Sequence, residues 1–242
     1  MGLKLPRHKK RNFLLSIIYH CHKLFFFGRK TKFILYLNLE WIFDRLSHEM
    51  SFKMYKLEMH PFKVHSKKII HEFIDENHTV LDLGCHGGDI SFHCAHKAKK
   101  VIGIDYNKDA IVKAKSKYQK DNLIFYHCEA SEFLKTNKEH FDILIMSHIL
   151  EHLDNPQELL IQYKNYFNRI YIEVPDFDRY YLNQYRKDLG LNLIYSDEDH
   201  ISEFSRDELK ELLNCCGLKT LKEEYIFGMQ KIWCEVNRHY TE

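Results

Sequence analysis

The chain has 242 residues, 45% of them hydrophobic and 29% charged, which is the ordinary globular range and excludes a wholly disordered protein. That length suits one large α/β domain, or one domain with a smaller appendage. The net charge of +2 is too close to zero to call for a nucleic-acid partner, and none is expected. The charge is unevenly spread: residues 1–39 hold no Asp or Glu, while Lys4, Arg7, Lys9, Lys10, Arg11, Lys23, Arg29, Lys30 and Lys32 give +9, leaving −7 for the rest. A basic head on an acidic body suits phosphate groups, a membrane surface or another subunit; a solvated charged segment is the plain alternative. The 7 cysteines are odd in number, lie in apolar stretches and lack C-x-x-C spacing, the pattern of reduced thiols in a cytoplasmic protein.

Residues 1–77 read as a helical N-terminal extension or cap. FLLSIIYHCHKLFFF (13–27) follows the basic run RHKKR. It is interrupted by His20, His22 and Lys23, falls short of the ~20 apolar residues of a spanning helix, and is followed by no small-residue cleavage site. An amphipathic helix docked on the body is the expectation, with peripheral membrane contact or a homo-oligomer contact as alternatives. Met1-Gly2 makes no myristoylation signal, because Pro6 stands where Ser or Thr is wanted. Farther on, Leu35, Leu39, Ile42, Phe43 and Leu46 recur on one helical face, an arrangement that suits covering a pocket.

From residue 78 to 242 the pattern is strand and helix in alternation. TVLDLG (79–84), VIGID (101–105), LIFYHC (123–128), FDILIM (141–146) and RIYIEV (169–174) read as strands; 89–99, 109–118, 156–167 and 206–216 read as helices. An irregular insert of about 175–204 precedes the last helix. A closing pair of strands, 218–226 and 229–236, is separated only by Phe227 and Gly228 and must be antiparallel. Alternation of this kind builds a mostly parallel sheet with helices on both faces and ligands at the C-terminal strand ends.

In VLDLGCHGGDIS (80–91) a buried strand ends at Asp82, and Gly84, Gly87 and Gly88 let the backbone turn tightly before a helix. Asp105 closes the next strand, roughly twenty residues after the glycines, where a carboxylate can bind both hydroxyls of a ribose. These motifs resemble those of the class I S-adenosylmethionine-dependent methyltransferases, small-molecule (type 11/type 23-like) branch, from about Thr79 to Val236. LDLGCHGG is similar to the family's LDLGCGxG with His86 in place of glycine, Glu129-Ala130 to its acidic-Ala pair after the third strand, and LEHL to the turn after its fourth. VPD (174–176), DEDH (197–200), and EFS followed by ELLNCCGL look like its fifth strand, its substrate insert and its penultimate helix. The resemblance implies an α/β, Rossmann-like, seven-stranded sheet with an antiparallel last strand. It also implies S-adenosylmethionine as cofactor, held by Asp82, Gly84, Cys85, Gly88, Asp105, Tyr106, Glu129, Ala130 and Ser147. A Rossmann dehydrogenase competes only weakly, because Gly84-x-x-Gly87-Gly88 is not G-x-G-x-x-G.

His148, Glu151 and His152 spell H-x-x-E-H, which inverted zinc peptidases place inside a long helix. Here the string follows a buried strand and precedes Asp154-Asn155-Pro156, so a turn is expected instead. By topology His152, Asp176 and His200 approach the same sheet edge. His152 and His200 are candidate general bases, and with Asp176 they form a candidate site for iron, manganese or magnesium. Tyr181 and Arg186 in the insert are candidate acceptor contacts. The expected reaction is O-methylation of a small hydroxylated acceptor, a sugar or sugar nucleotide of a surface polysaccharide pathway. A quinone-precursor or other small-molecule methyltransferase, and a non-catalytic binding subunit of the same fold, stand as alternatives.

Overall fold

The computed structural model describes residues 13–24, 26–137, 139–197 and 199–237. The basic residues from Lys4 to Arg11, the Met1-Gly2 pair, Pro6 and Glu198 of the DEDH string lie outside them. The chain separates into two compact units, Met1–Phe43 and Asp44–Glu242. In the first, α1 (Phe13–Cys21) and the opening turns of α2 (Arg29–Met54) are helical as expected. The apolar faces are not covered, however: Phe13, Leu14, Ile17 and Ile18 of α1, and Leu35, Leu39, Ile42 and Phe43 of α2, are all exposed. Among the described residues no helix is long and apolar enough to cross a membrane.

The second unit begins inside α2 and holds α3 (Pro61–His71), so the division falls earlier than the expected 77/78 boundary. The reason is packing. Pro61 opens α3 with its φ pre-set for a helix, Ile69 and Ile70 are buried in the same cluster as Trp233, and the Trp233 indole N–H donates to the Ile69 carbonyl at 3.0 Å.

The sheet strands are β1 (Thr79–Leu83), β2 (Lys100–Asp105), β3 (Leu123–His127), β4 (Phe141–Ser147), β5 (Phe167–Pro175), β6 (Leu218–Ile226) and β7 (Met229–Val236). Their order is β3-β2-β1-β4-β5-β7-β6. The first five strands pair in parallel, and β7 runs antiparallel between β5 and β6. Side chains alternate across the central strands because the strand period is two. Leu81, Leu83, Leu144 and Met146 enter one core, and Val80, Ile143 and Ile145 the other. Both faces are covered, so these strands read as unbroken apolar runs.

The helices of this unit are α4 (Asp89–Cys94), α5 (Lys108–Lys117), α6 (Ala130–Thr136), α7 (Pro156–Tyr163), α8 (Leu182–Asp188) and α9 (Arg206–Cys215). Asn107 caps α5 and Asn155 caps α7 through their side-chain oxygens, and Ser205 with Glu208 forms a capping box on α9. Two spans are shorter than expected. α4 stops at Cys94, and α7 gives way after Tyr163 to a 3₁₀ turn, so Phe167 starts β5 instead of ending a helix. Two short helices, α6 and α8, lie in stretches that carry no clear helical period. The β6–β7 turn is made by Phe227 (φ 53) and Gly228 (φ 74), the paired positive φ values of a tight hairpin.

Candidate active site

At the C-terminal ends of β1, β2 and β4, a cavity of about 540 Å³ opens between the loops. That lies within the roughly 300–1,000 Å³ of small-molecule sites. Its wall includes Gly84 and His86 after β1, Asp105, Tyr106 and Asn107 after β2, Glu129 and Ala130 after β3, and His148, Ile149 and His152 after β4.

The floor depends on glycine. Gly84 has φ +68, and a Cβ there would lie 2.3 Å from Ile149 Cδ1, so the absent side chain is what lets the β4 turn close over the β1 loop. Gly88 has φ +77 and meets the Phe125 ring in the same way. His86 adopts φ 44 without being glycine, a strained backbone that its neighbours must hold in place. One restraint is visible: its N–H donates to Asp105 Oδ2 at 2.7 Å. The other oxygen, Oδ1, accepts the Asn107 N–H at 2.7 Å. Each carboxylate oxygen keeps a further lone pair, so Asp105 can still accept two hydroxyls, and the two amides orient it to do so.

Asp82 stands behind the wall instead of on it. It is buried, accepts the Ser91 hydroxyl, and is pushed up to about 7 by burial despite that bond. It anchors the first turn of α4 under the loop. Cys85 and Gly88 shape the loop, and Ser147 closes β4, without joining the cavity wall. Burial also pushes the Cys85 thiol up, with the carboxylates of Asp82 and Asp105 adding to the effect, so it stays neutral. Of the expected cofactor residues, Gly84, Asp105, Tyr106, Glu129 and Ala130 line the cavity. Asn107 and Ile149 also line it and were not anticipated; the Asn-x-Asp spacing of a helix N-cap after Asp105 was the available signal for the former.

The H-x-x-E-H string forms a turn and a single 3₁₀ turn, Leu150–His152, as its flanks require. His148 has φ 59. Its Nδ1 lies 2.9 Å from Glu151 Oε1, and its Nε2 lies 3.8 Å from Glu173 Oε1. Glu173 is itself buried with Lys231. It accepts from Ser66 Oγ at 2.9 Å, from Lys231 Nζ at 3.1 Å and from the Tyr171 hydroxyl. Burial pushes the Glu173 carboxyl up, but the Lys231 ammonium, His148 and the two hydroxyls outweigh it and hold it below the usual carboxylate range.

His152 faces the cavity, with Nδ1 3.2 Å from the Asp199 carbonyl oxygen. His200 packs edge-on against it, ring centroids 4.8 Å apart, but is not on the wall. Its Nδ1 is held by Glu203 Oε1 at 3.0 Å. Burial pulls the His200 pKa down, yet the hydrogen bond and charge of Glu203, with Glu151 and Asp197, leave it raised.

The expected metal set is not assembled. Asp176 is buried against Arg206, whose Nη2 lies 2.7 Å from Oδ2 and whose Nε lies 3.2 and 3.3 Å from the two oxygens. An Arg fork binds a carboxylate strongly, and it draws Asp176 away from the histidines. Among the described residues, the groupings whose ligand atoms lie within 4.8 Å of one another are Glu151, His152 and His200, and Asp197, Asp199 and His200. In the insert, Tyr181 is exposed, while Arg186 is buried and donates to Asn183 Oδ1 at 2.8 Å.

A methyltransferase domain family model matches residues 60–223, more than half of the chain. The chain belongs to this methyltransferase family. Similar curated proteins include ubiquinone biosynthesis O-methyltransferases from Glaesserella parasuis serovar 5 (strain SH0165), 35% identical over 92 residues and covering 36% of this chain and 39% of that one, and from Saccharomyces cerevisiae, mitochondrial, 40% identical over 88 residues and covering 34% and 27%. The chain thus spans less than two fifths of the length of these relatives. Among solved structures, magnesium protoporphyrin IX methyltransferase from Synechocystis PCC 6803 with bound SAH matches with TM-score 0.55 at 13% identity, covering 81% of this chain and 94% of that one. An S-adenosylmethionine-dependent methyltransferase from Archaeoglobus fulgidus matches with TM-score 0.54 at 20% identity, covering 72% and 93%. At such identities the structures share the fold, which is that of the class I methyltransferases. The glycine cradle at Gly84 and the oriented carboxylate of Asp105 fit the cofactor of that family.

Proposed function

We propose that the protein is an S-adenosylmethionine-dependent O-methyltransferase acting on a small hydroxylated acceptor. The observation that carries this reading is Asp105, oriented by two backbone amides at the rim of the glycine-floored cavity. When bound, the cofactor supplies an electrophilic methyl group on a sulfonium. The chain's residues must then bind it, exclude water and take a proton from the acceptor hydroxyl. Asp105 and Glu129 would hold the ribose and adenine ends. His152 is the proposed proton acceptor: with Nδ1–H donated to the Asp199 carbonyl, its tautomer leaves the Nε2 lone pair for a substrate hydroxyl. His200, packed behind it, is a positioning residue in place of the second base expected from the sequence.

For the acceptor, the similarity to ubiquinone biosynthesis O-methyltransferases favours a ring-hydroxylated quinone precursor over the sugar or sugar nucleotide suggested by the polar insert. His152→Gln is expected to lower kcat by about 100-fold or more, the usual worth of a general base, while leaving S-adenosylmethionine affinity unchanged in calorimetry. Labelled-methyl transfer to catechol-type and sugar panels separates the acceptors, and a His152→Gln enzyme with unaltered turnover would remove His152 from this role.

A second reading is favoured by Glu151, whose Oε2 is buried with no hydrogen-bond partner. A divalent cation held by Glu151, His152 and His200 would satisfy that oxygen, and oxygen–nitrogen ligation suits iron, manganese or magnesium. Such an ion would lower the pKa of a bound acceptor hydroxyl. Elemental analysis of the purified protein is expected to find about one equivalent of metal that Glu151→Gln loses; a metal-free protein with full activity would leave His152 as the base alone.

A further inference from the structure

We propose that residues 13–43 are an interfacial anchor that binds the surface of a membrane rich in anionic lipids. Two features of that unit coincide. Apolar side chains stand in water: Phe13 is 79% exposed, Leu14 64%, Ile18 57% and Phe43 62%. On α1, Phe13, Leu14, Ile17 and Ile18 share one face, because positions three and four apart lie side by side on a helix. Leu35, Leu39 and Ile42 make a similar exposed stripe on α2. Burial of such a face in the headgroup and upper acyl region, with the helix lying in the plane of the membrane, is the behaviour of an amphipathic interfacial segment.

The second feature is charge. Within the unit, Lys23, Arg29, Lys30 and Lys32 adjoin the apolar faces with no acidic residue before Glu40, and the preceding twelve residues add five more cations in the sequence. Each basic side chain near an anionic leaflet adds to the attraction, and salt screens it. The same charge argues against a second copy as the occupant, since a symmetric contact through residues 13–43 would set a net +3, four cations less Glu40, against another +3. Among the described residues no helix is long and apolar enough to cross a bilayer, and the proposed contact is with one surface. The proposal is independent of which acceptor the enzyme uses.

The test is flotation of the full chain with vesicles of phosphatidylcholine, and with vesicles of an equal mixture of phosphatidylcholine and phosphatidylglycerol, at low and at high salt. The protein is expected to float with the anionic vesicles, to lose most of that binding at high salt, and to stay unbound with the zwitterionic ones. Replacing Lys23, Arg29, Lys30 and Lys32 by Gln is expected to weaken binding at least about tenfold. Phe13→Ser with Ile17→Ser and Ile18→Ser is expected to abolish it, with the thermal midpoint of both variants kept near the parent's. No flotation with either vesicle, equal flotation with both, or binding by the parent that salt leaves unchanged would overturn the proposal. So would a concentration-dependent dimer, seen by sedimentation, that the apolar variant dissolves while vesicles capture nothing. Because the salt and lipid comparisons use the unaltered protein, a variant that fails to fold does not blunt the result.

Discussion

Asp105→Ala is expected to weaken S-adenosylmethionine binding by about 100-fold, close to 3 kcal/mol, read by isothermal titration calorimetry. The figure follows from what the carboxylate does twice over. It accepts the His86 and Asn107 amides at 2.7 Å each, and in the proposed role its remaining lone pairs would accept the hydroxyls of a ribose. Alanine removes the ligand contact and also releases two backbone donors, one of which holds the positive φ of His86. Asp105→Asn is expected to be nearly as damaging, since its NH₂ would face an amide N–H where an acceptor is needed. A change of less than about threefold for the alanine variant would mean that the cofactor's hydroxyls are bound elsewhere.

Lys231→Met is expected to destabilise the fold by about 3–5 kcal/mol, because it leaves the buried Glu173 carboxylate without its ammonium partner. Chemical denaturation gives the value, and the pH dependence gives the cause. In the parent, the folded Glu173 is held below its ordinary value chiefly because Lys231 overcomes the cost of burial. Its contribution is therefore present above the unfolded carboxyl value near about 4.3 and is lost as pH falls through the lower folded value. In the variant, burial acts with less opposition, and the stability drawn from this group at neutral pH is expected to vanish. Glu173→Leu combined with Lys231→Met is expected to recover part of the loss, limited by the Tyr171 and Ser66 hydroxyls that would then lack their partner. A Lys231→Met protein as stable as its parent would show that the ion pair contributes nothing beyond packing.

The parallel strands were legible because burial on both faces makes them unbroken apolar runs, and the hairpin because two residues cannot make a crossover. Helix α9 was read over 206–216, and the structure adds the cap that Ser205 and Glu208 make on it. Helices α6 and α8 were not read: at seven residues each, they are too short to show a period and are held by tertiary contacts. The cavity wall was readable where a motif sits in sequence order, as at Gly84 and Asp105. It was unreadable where side-chain choice decides. Topology brings Asp176 to the right sheet edge, yet Arg206, thirty residues on, takes both its oxygens. The exposed faces of α1 and α2 expose a similar limit, since an amphipathic pattern says that a face will be covered and not by what.

The contact between Gly84 and Ile149 ties two tasks to one atom. Ile149 Cδ1 fills the space that a side chain at position 84 would need, and Ile149 lies on the same wall as His148 and His152. Anyone reshaping this enzyme for a bulkier acceptor would reach first for Ile149, and trimming it would also take away the support under the glycine loop. If the cavity takes acceptor and methyl donor together, as proposed, breadth for the one and grip on the other would be set against each other at Ile149, and a gain in one should be sought with a compensating change at the other.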